Sequence, residues 1–95
     1  MTEAELKAYV KRVARMNGWR VMESKQNRIV RPAKGDSNGF PDLVLARDRE
    51  VLFMELKTDD GIQSSEQYAW SLILPAYHLI RPKDLDNGRV NELLS

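Results

Sequence analysis

Between Thr2 and Asn17, Leu6, Val10 and Val13 recur at helical spacing while Lys7, Lys11, Arg12 and Arg15 fall on other faces, which predicts an amphipathic helix. Thr2 and Glu5, three residues apart, form a capping-box pair at its start, and Asn17-Gly18 supplies a left-handed stop. From Trp19 to Glu23 large apolar and polar residues alternate as in a strand. Lys25 to Asn38 is polar, basic and interrupted by Pro32 and Gly35, so it reads as a long loop with room for a short strand at 28–31. Asp42–Arg47 and Glu50–Lys57 carry Leu, Val and Phe on both alternating sets of positions, which predicts two strands covered on both faces. Only Asp48-Arg49 separates them, so they form an antiparallel hairpin. Asp59-Asp60-Gly61 has turn chemistry. Ser64 or Ser65 caps a second helix running through Gln67, Trp70, Ser71 and Leu74, and Pro75 ends it. Tyr77–Arg81 reads as a last strand, with one or two short helical turns over 82–94. The predicted order is helix, strand, strand, strand, helix, strand, in one α/β domain spanning 1–95.

Composition narrows the chemistry. The chain has 95 residues, 42% hydrophobic and 31% charged, within the range of a single globular domain with one modest core. There is no cysteine and only one histidine, His78, so disulfides, thiolate nucleophiles and Cys- or His-rich metal sites are excluded. Catalysis has to use carboxylates, amines or hydroxyls. The uncharged stretch 67–79 contains Gln, Ser, Pro and His and is too short and polar for a membrane span. The opening Met-Thr-Glu-Ala-Glu has no basic segment ahead of an apolar one, so no secretory signal is expected and the protein reads as intracellular.

A net charge of +1 conceals an asymmetry. Residues 1–34 hold nine basic and three acidic residues, a balance of +6, whereas 35–95 hold six basic and eleven acidic, a balance of −5. A basic segment beside an acidic site suits a polyanion held near bound cations; a solvated helix face followed by a charged loop is the plainer alternative. Within it, Lys25, Arg28, Arg31 and Lys34 can follow a phosphate backbone. Trp19 and Trp70 read as core or interface anchors rather than base-stacking residues, since no aromatic cluster surrounds either in the sequence, and Tyr9 and Tyr77 receive the same reading.

The hairpin carries the sharper signal. Strands pairing symmetrically about Asp48-Arg49 place opposite each other residues whose numbers sum to 97, and Asp42 then lies across from Glu55. Directly opposed residues share a face with Cβ atoms about 4.5–5.5 Å apart. Lys57 projects from that face by the strand period of two. Two like charges so placed destabilise a sheet unless a cation or a shifted protonation state intervenes. Oxygen-only ligands suit Mg²⁺ or Mn²⁺, which with a nearby ammonium can activate water against a phosphodiester. A salt-bridged hairpin with Lys57 paired to both acids fits the same spacing.

Gly39-Phe40-Pro41-Asp42-Leu43, then Glu55-Leu56-Lys57, then Gln67 in the following helix, resembles the PD-(D/E)XK nuclease superfamily and more closely its VRR-NUC branch. Thr2-Glu3-Ala4-Glu5-Leu6 resembles that family's opening helix with its metal-site glutamate, and Arg81-Pro82-Lys83-Asp84-Leu85 its closing Arg-Pro-x-Asp segment. The resemblance implies a restriction-endonuclease-like core: a mixed sheet flanked by helices. It implies Mg²⁺ or Mn²⁺ held by the Asp42 and Glu55 carboxylates and the Leu56 carbonyl, with Lys57 serving the attacking water and Gln67 supporting the site. Either Glu3 or Glu5 fills the helix-one position. Glu3 is chosen because it shares the Leu6–Val10–Val13 stripe, while Glu5 fits the capping box.

The implied activity is metal-dependent DNA hydrolysis on branched structures such as four-way (Holliday) junctions, in a phage or bacterial setting. A restriction-type or flap endonuclease, or a non-catalytic DNA-binding protein on the same fold, are the competing readings. Resolving a junction takes two related cuts, which calls for a homodimer. Tyr68, Trp70, Leu72 and Ile73 around the second helix offer more apolar surface than one core-facing stripe requires.

Overall fold

The computed structural model describes residues 1–24 and 38–95. They form helix α1 (Glu3–Met16), strands β1 (Arg20–Glu23), β2 (Leu43–Arg47) and β3 (Glu50–Leu56), helix α2 (Ser65–Ile73), strand β4 (Tyr77–Ile80) and two short helices, α3 (Lys83–Asp86) and α4 (Arg89–Leu94). The arrangement is α/β: a four-stranded mixed sheet in the order β1-β2-β3-β4 flanked by helices, with β1, β2 and β3 antiparallel and β4 parallel to β3. No described helix is long and apolar enough to cross a membrane.

The elements start and stop for local reasons. Thr2 Oγ1 accepts from the Glu5 N–H at 3.1 Å while the Glu5 carboxylate accepts from the Thr2 N–H at 2.7 Å, closing the capping box that the sequence predicts. These bonds hold the Glu5 carboxyl below its ordinary pKa. Gly18, at φ +85°, turns the chain out of α1. Asp48 and Arg49 both adopt positive φ, the two-residue hairpin geometry that matches strand twist.

The hairpin register is the symmetric one, with Leu43 opposite Met54 and Val44 opposite Phe53. It sorts the two faces. Leu43, Leu45, Leu52, Met54 and Leu56 join Leu6, Val10 and Ala14 of α1, Ile80, and Val90 and Leu94 of α4 in a single buried cluster. Trp19 closes its edge, donating its indole N–H to the Leu94 carbonyl at 2.9 Å beneath the Arg47 guanidinium, so it is the core anchor expected. At β1, Glu23 reaches over to Lys7 and Lys11 of α1, and these ammonium partners depress its pKa.

The opposite face departs from the expectation of cover on both sides. Val51, at the hairpin end of β3, is 42% exposed there. The nine-residue α2 lies over one end only, where Phe40 meets Trp70 edge-on at 5.0 Å and Phe53 at 5.9 Å. Trp70 thus belongs to an aromatic cluster, contrary to the reading from neighbours in sequence, because the strand-to-loop path brings Phe40 to it from 30 positions away. The region proposed as a basic loop, with Lys25, Arg28, Arg31 and Lys34 and the strand at 28–31, lies outside the described residues.

On β4, His78 sits half-buried with Nδ1 at 3.4 Å from the Arg89 guanidinium; burial first, then that positive charge, holds its pKa below the usual 6.5. The unfolded chain therefore takes up this proton before the folded one. Stability is expected to be full above pH 6.5, to fall as the pH drops from there to the lower folded value, and to level off below it. Urea midpoints across that window, with His78→Leu showing a flatter profile, check the effect.

Candidate active site

Pro41 and Asp42 lie in the bend leading into β2, both buried. Ser24 fastens this bend to the end of β1: its hydroxyl donates to the Pro41 carbonyl and its N–H to the Asp42 carbonyl. The Asp42 carboxylate accepts from the Leu56 N–H at 2.8 Å, which ties it to the end of β3 beside Glu55. Glu55 is fully buried. It alternates with Met54 and Leu56, which face α1, and so projects from the other face of the sheet.

Helix α2 reaches Glu55 through one residue. Ser64 caps the helix by accepting from the Gln67 N–H at 3.1 Å; Gln67 returns the contact, its Oε1 accepting from the Ser64 N–H at 2.8 Å. That locks the Gln67 amide, whose Nε2 donates to a Glu55 carboxylate oxygen at 2.7 Å. The residue that completes the capping box is thus also the one that orients Glu55. Lys57 places its ammonium 3.9 Å from the same Glu55 oxygen, with its side chain largely buried.

Gly39 explains how α2 comes so close. Its φ is +79°, and an added Cβ would lie 2.5 Å from the Glu66 carbonyl carbon and 2.6 Å from the Gln67 nitrogen. Backbone therefore packs directly on the first turn of α2, with Trp70 donating its indole N–H to the Asn38 carbonyl at 2.9 Å. On the other side of the site, Arg81 Nη1 donates to the Thr58 and Gly61 carbonyls at 2.6 and 2.7 Å. This holds the turn after β3, in which a Cβ added at Gly61 would lie 3.1 Å from Thr58 Oγ1 and 3.3 Å from Lys57 Cδ. Asp84, buried, accepts from the Arg81 N–H at 2.7 Å and pairs with Arg89 at 3.2 Å. Arg81 and Asp84 thus brace the loop between Lys57 and Gln67.

The structure brings together Asp42, Glu55, Lys57 and Gln67. Glu3 does not join them: it stays exposed in the first turn of α1, which covers the face that Glu55 points away from, and Glu5 is committed to its cap. Among the described residues no three acidic or histidine side chains form a group able to hold a metal. Of the four large apolar residues on α2, Tyr68, Leu72 and Ile73 are 57%, 66% and 72% exposed, while Trp70 turns inward to Phe40.

One residue read as ordinary packing also faces this site. Tyr77 pairs with Phe53 in the parallel β3–β4 ladder and so shares the Glu55 face. Its hydroxyl accepts from Gln63 Nε2 at 2.8 Å. Burial, then the Glu55 charge and more weakly that of Asp42, push its pKa up to about 12, against the opposing Gln63 bond. Only the register of a parallel pair, which sequence does not specify, reveals this position.

Comparison of the chain with protein-family models, curated proteins and solved structures finds no match.

Proposed function

We propose that the chain is a metal-dependent DNA endonuclease of PD-(D/E)XK type, related to the VRR-NUC branch, that hydrolyses phosphodiesters in branched DNA and favours four-way junctions. The observation that carries this reading is the buried Asp42–Glu55 neighbourhood on one sheet face, with Lys57 at 3.9 Å from Glu55 and Gln67 bonded to it. Two buried carboxylates beside an ammonium are the kind of donor set that metal-assisted hydrolysis uses.

The donor set fits a hard divalent ion. Mg²⁺ uses one or two carboxylates, completes its shell with water and phosphate oxygens, and does not need a third acidic side chain. The Asp42 and Glu55 carboxylates and the Leu56 carbonyl would hold Mg²⁺ or Mn²⁺. Bound there, the ion supplies Lewis acidity toward the phosphodiester. The remaining roles belong to the chain. Gln67 fixes the rotamer of Glu55, the Leu56 N–H orients Asp42, and Lys57 holds the attacking water or stabilises charge gathering on the phosphoryl oxygens. The basic balance of residues 1–34 suits a polyanionic substrate, with Lys25, Arg28, Arg31 and Lys34 proposed to follow its backbone.

Resolving a four-way junction takes two related cuts. A second copy supplies the second cut. We place the dimer contact on the exposed Tyr68, Leu72 and Ile73. Light scattering is expected to give about twice the 11.0 kDa chain mass for the wild type and the chain mass for Leu72→Asp/Ile73→Asp. An 11.0 kDa particle both free and on junction DNA, giving unpaired nicks only, rejects the dimer and leaves the hydrolase reading in place.

The Lys57–Glu55 ion pair is also what a DNA-binding protein with a purely structural hairpin would have. Labelled linear, flap and four-way substrates offered in competition separate the readings. Preferred cleavage of the four-way substrate supports the proposal, preference for linear or flap DNA favours a restriction-type or flap enzyme, and binding without cleavage favours the non-catalytic protein.

A further inference from the structure

We infer that Tyr77 is a substrate-contacting residue of this site, its hydroxyl donating a hydrogen bond to a non-bridging oxygen of the scissile phosphate, and that Gln63 positions it. The inference rests on the phosphodiesterase reading above and extends it to residues which the motif does not include. Register brings the phenol to the site. Phe53 pairs with Tyr77 and Glu55 with Leu79, so Tyr77 stands diagonally from Glu55 on the neighbouring strand and on the same face.

The hydrogen bonding leaves the phenol a donor. A phenol can accept and donate at once. Here the oxygen accepts from Gln63 Nε2 at 2.8 Å, and no described residue takes the hydroxyl proton. Gln63 also stands one residue before the Ser64 cap, in the segment whose Gln67 is bonded to Glu55. One short stretch of chain thus orients two groups of the site from neighbouring positions: Gln67 turns the carboxylate of Glu55, and Gln63 turns the hydroxyl of Tyr77. A neutral donor beside two acids has a clear use. A phenol contributes a hydrogen bond to the phosphate without adding a charge to a site that already has the Lys57 ammonium. Burial above all keeps its proton in place across the range in which an enzyme would work.

Tyr77→Phe removes the hydroxyl and keeps the ring, so packing against β3 is retained. Single-turnover cleavage of a four-way substrate in Mg²⁺ is expected to slow by at least about tenfold, the lower end of what removing one preorganised donor costs, with DNA affinity and thermal midpoint close to wild type. Gln63→Leu keeps the phenol but frees its orientation, and a smaller loss of about threefold to tenfold is expected. Stereopure phosphorothioate at the cut position supplies a reading that a structural role would not move. Sulfur at the contacted oxygen should slow wild type more than Tyr77→Phe.

Asp42→Asn run in parallel keeps the two levels apart. If Asp42→Asn cleaves like wild type, the phosphodiesterase reading fails and this inference with it. If Asp42→Asn is inactive while Tyr77→Phe cleaves at the wild-type rate with an unchanged thio effect, only the Tyr77 assignment is overturned. Should Tyr77→Phe fold poorly, Gln63→Leu decides: cleavage at the wild-type rate overturns the assignment, and the expected slowing supports it.

Discussion

Asp42→Asn, Glu55→Gln and Lys57→Ala are each expected to lower cleavage by about two orders of magnitude or more while leaving DNA binding largely intact. The two parts of that result have one cause. In the proposed site the acids would face the incoming phosphate, so neutralising either would remove repulsion toward the substrate even as it removed a metal ligand. Affinity is therefore retained or slightly raised while turnover collapses. Lys57→Ala should also lose turnover, because an ammonium placed at the reacting phosphate acts mainly on charge that develops in the transition state. A structural hairpin predicts a different pattern. Removing Lys57 takes the ammonium from buried Glu55 and lowers the thermal midpoint on either reading, but with a structural hairpin it has no effect on DNA cleavage per folded molecule. Single-turnover rates, DNA titrations and thermal midpoints on the three variants separate the two cases.

Gly39→Ala is expected to be the most damaging single-methyl change at the site, costing about 3 kcal/mol of stability and most of the cleavage activity. Two penalties combine. An L-residue at φ +79° carries about 1–2 kcal/mol of strain, and the new Cβ would stand 2.5 Å from the Glu66 backbone, an overlap that the sheet or α2 must relieve by moving, at about 1–3 kcal/mol. The direction of the movement matters for function. Pushing the first turn of α2 outward draws Gln67 away from Glu55, so the loss of activity should exceed what the unfolded fraction accounts for. Urea melts give the first effect, and cleavage per folded molecule the second.

Some of this architecture can be read from the chain alone. The Asp48-Arg49 turn fixes the hairpin register, and through it the opposition of Leu43 and Met54 and the approach of Asp42 to the end of β3 follow from counting. The capping box at Thr2 is equally local, and the start of the second helix, open between Ser64 and Ser65 in the sequence, falls at Ser64. What stays hidden depends on contacts distant in sequence. Phe40 finds Trp70, Tyr77 enters the site through a parallel pairing that no turn specifies, and Arg81 grips the Thr58–Gly61 turn from the end of β4. Periodicity likewise places Glu3 on the inner stripe of α1 but does not tell which face of the sheet that helix covers, and α1 covers the face opposite Glu55. Leu and Val on both sides of β2 and β3 suggest two covered faces, whereas Val51 at the hairpin end is 42% exposed.

Metal-dependent hydrolysis of DNA by the unaltered protein is the central claim, and one measurement addresses it directly: single-turnover cleavage of an end-labelled four-way junction with Mg²⁺, with excess EDTA, and with Mg²⁺ restored after EDTA. The expected result is strand cleavage in Mg²⁺, none in EDTA, and recovery when the ion is returned. An intact junction in all three conditions, under concentrations at which the protein is shown to be bound to it, would contradict the proposed function.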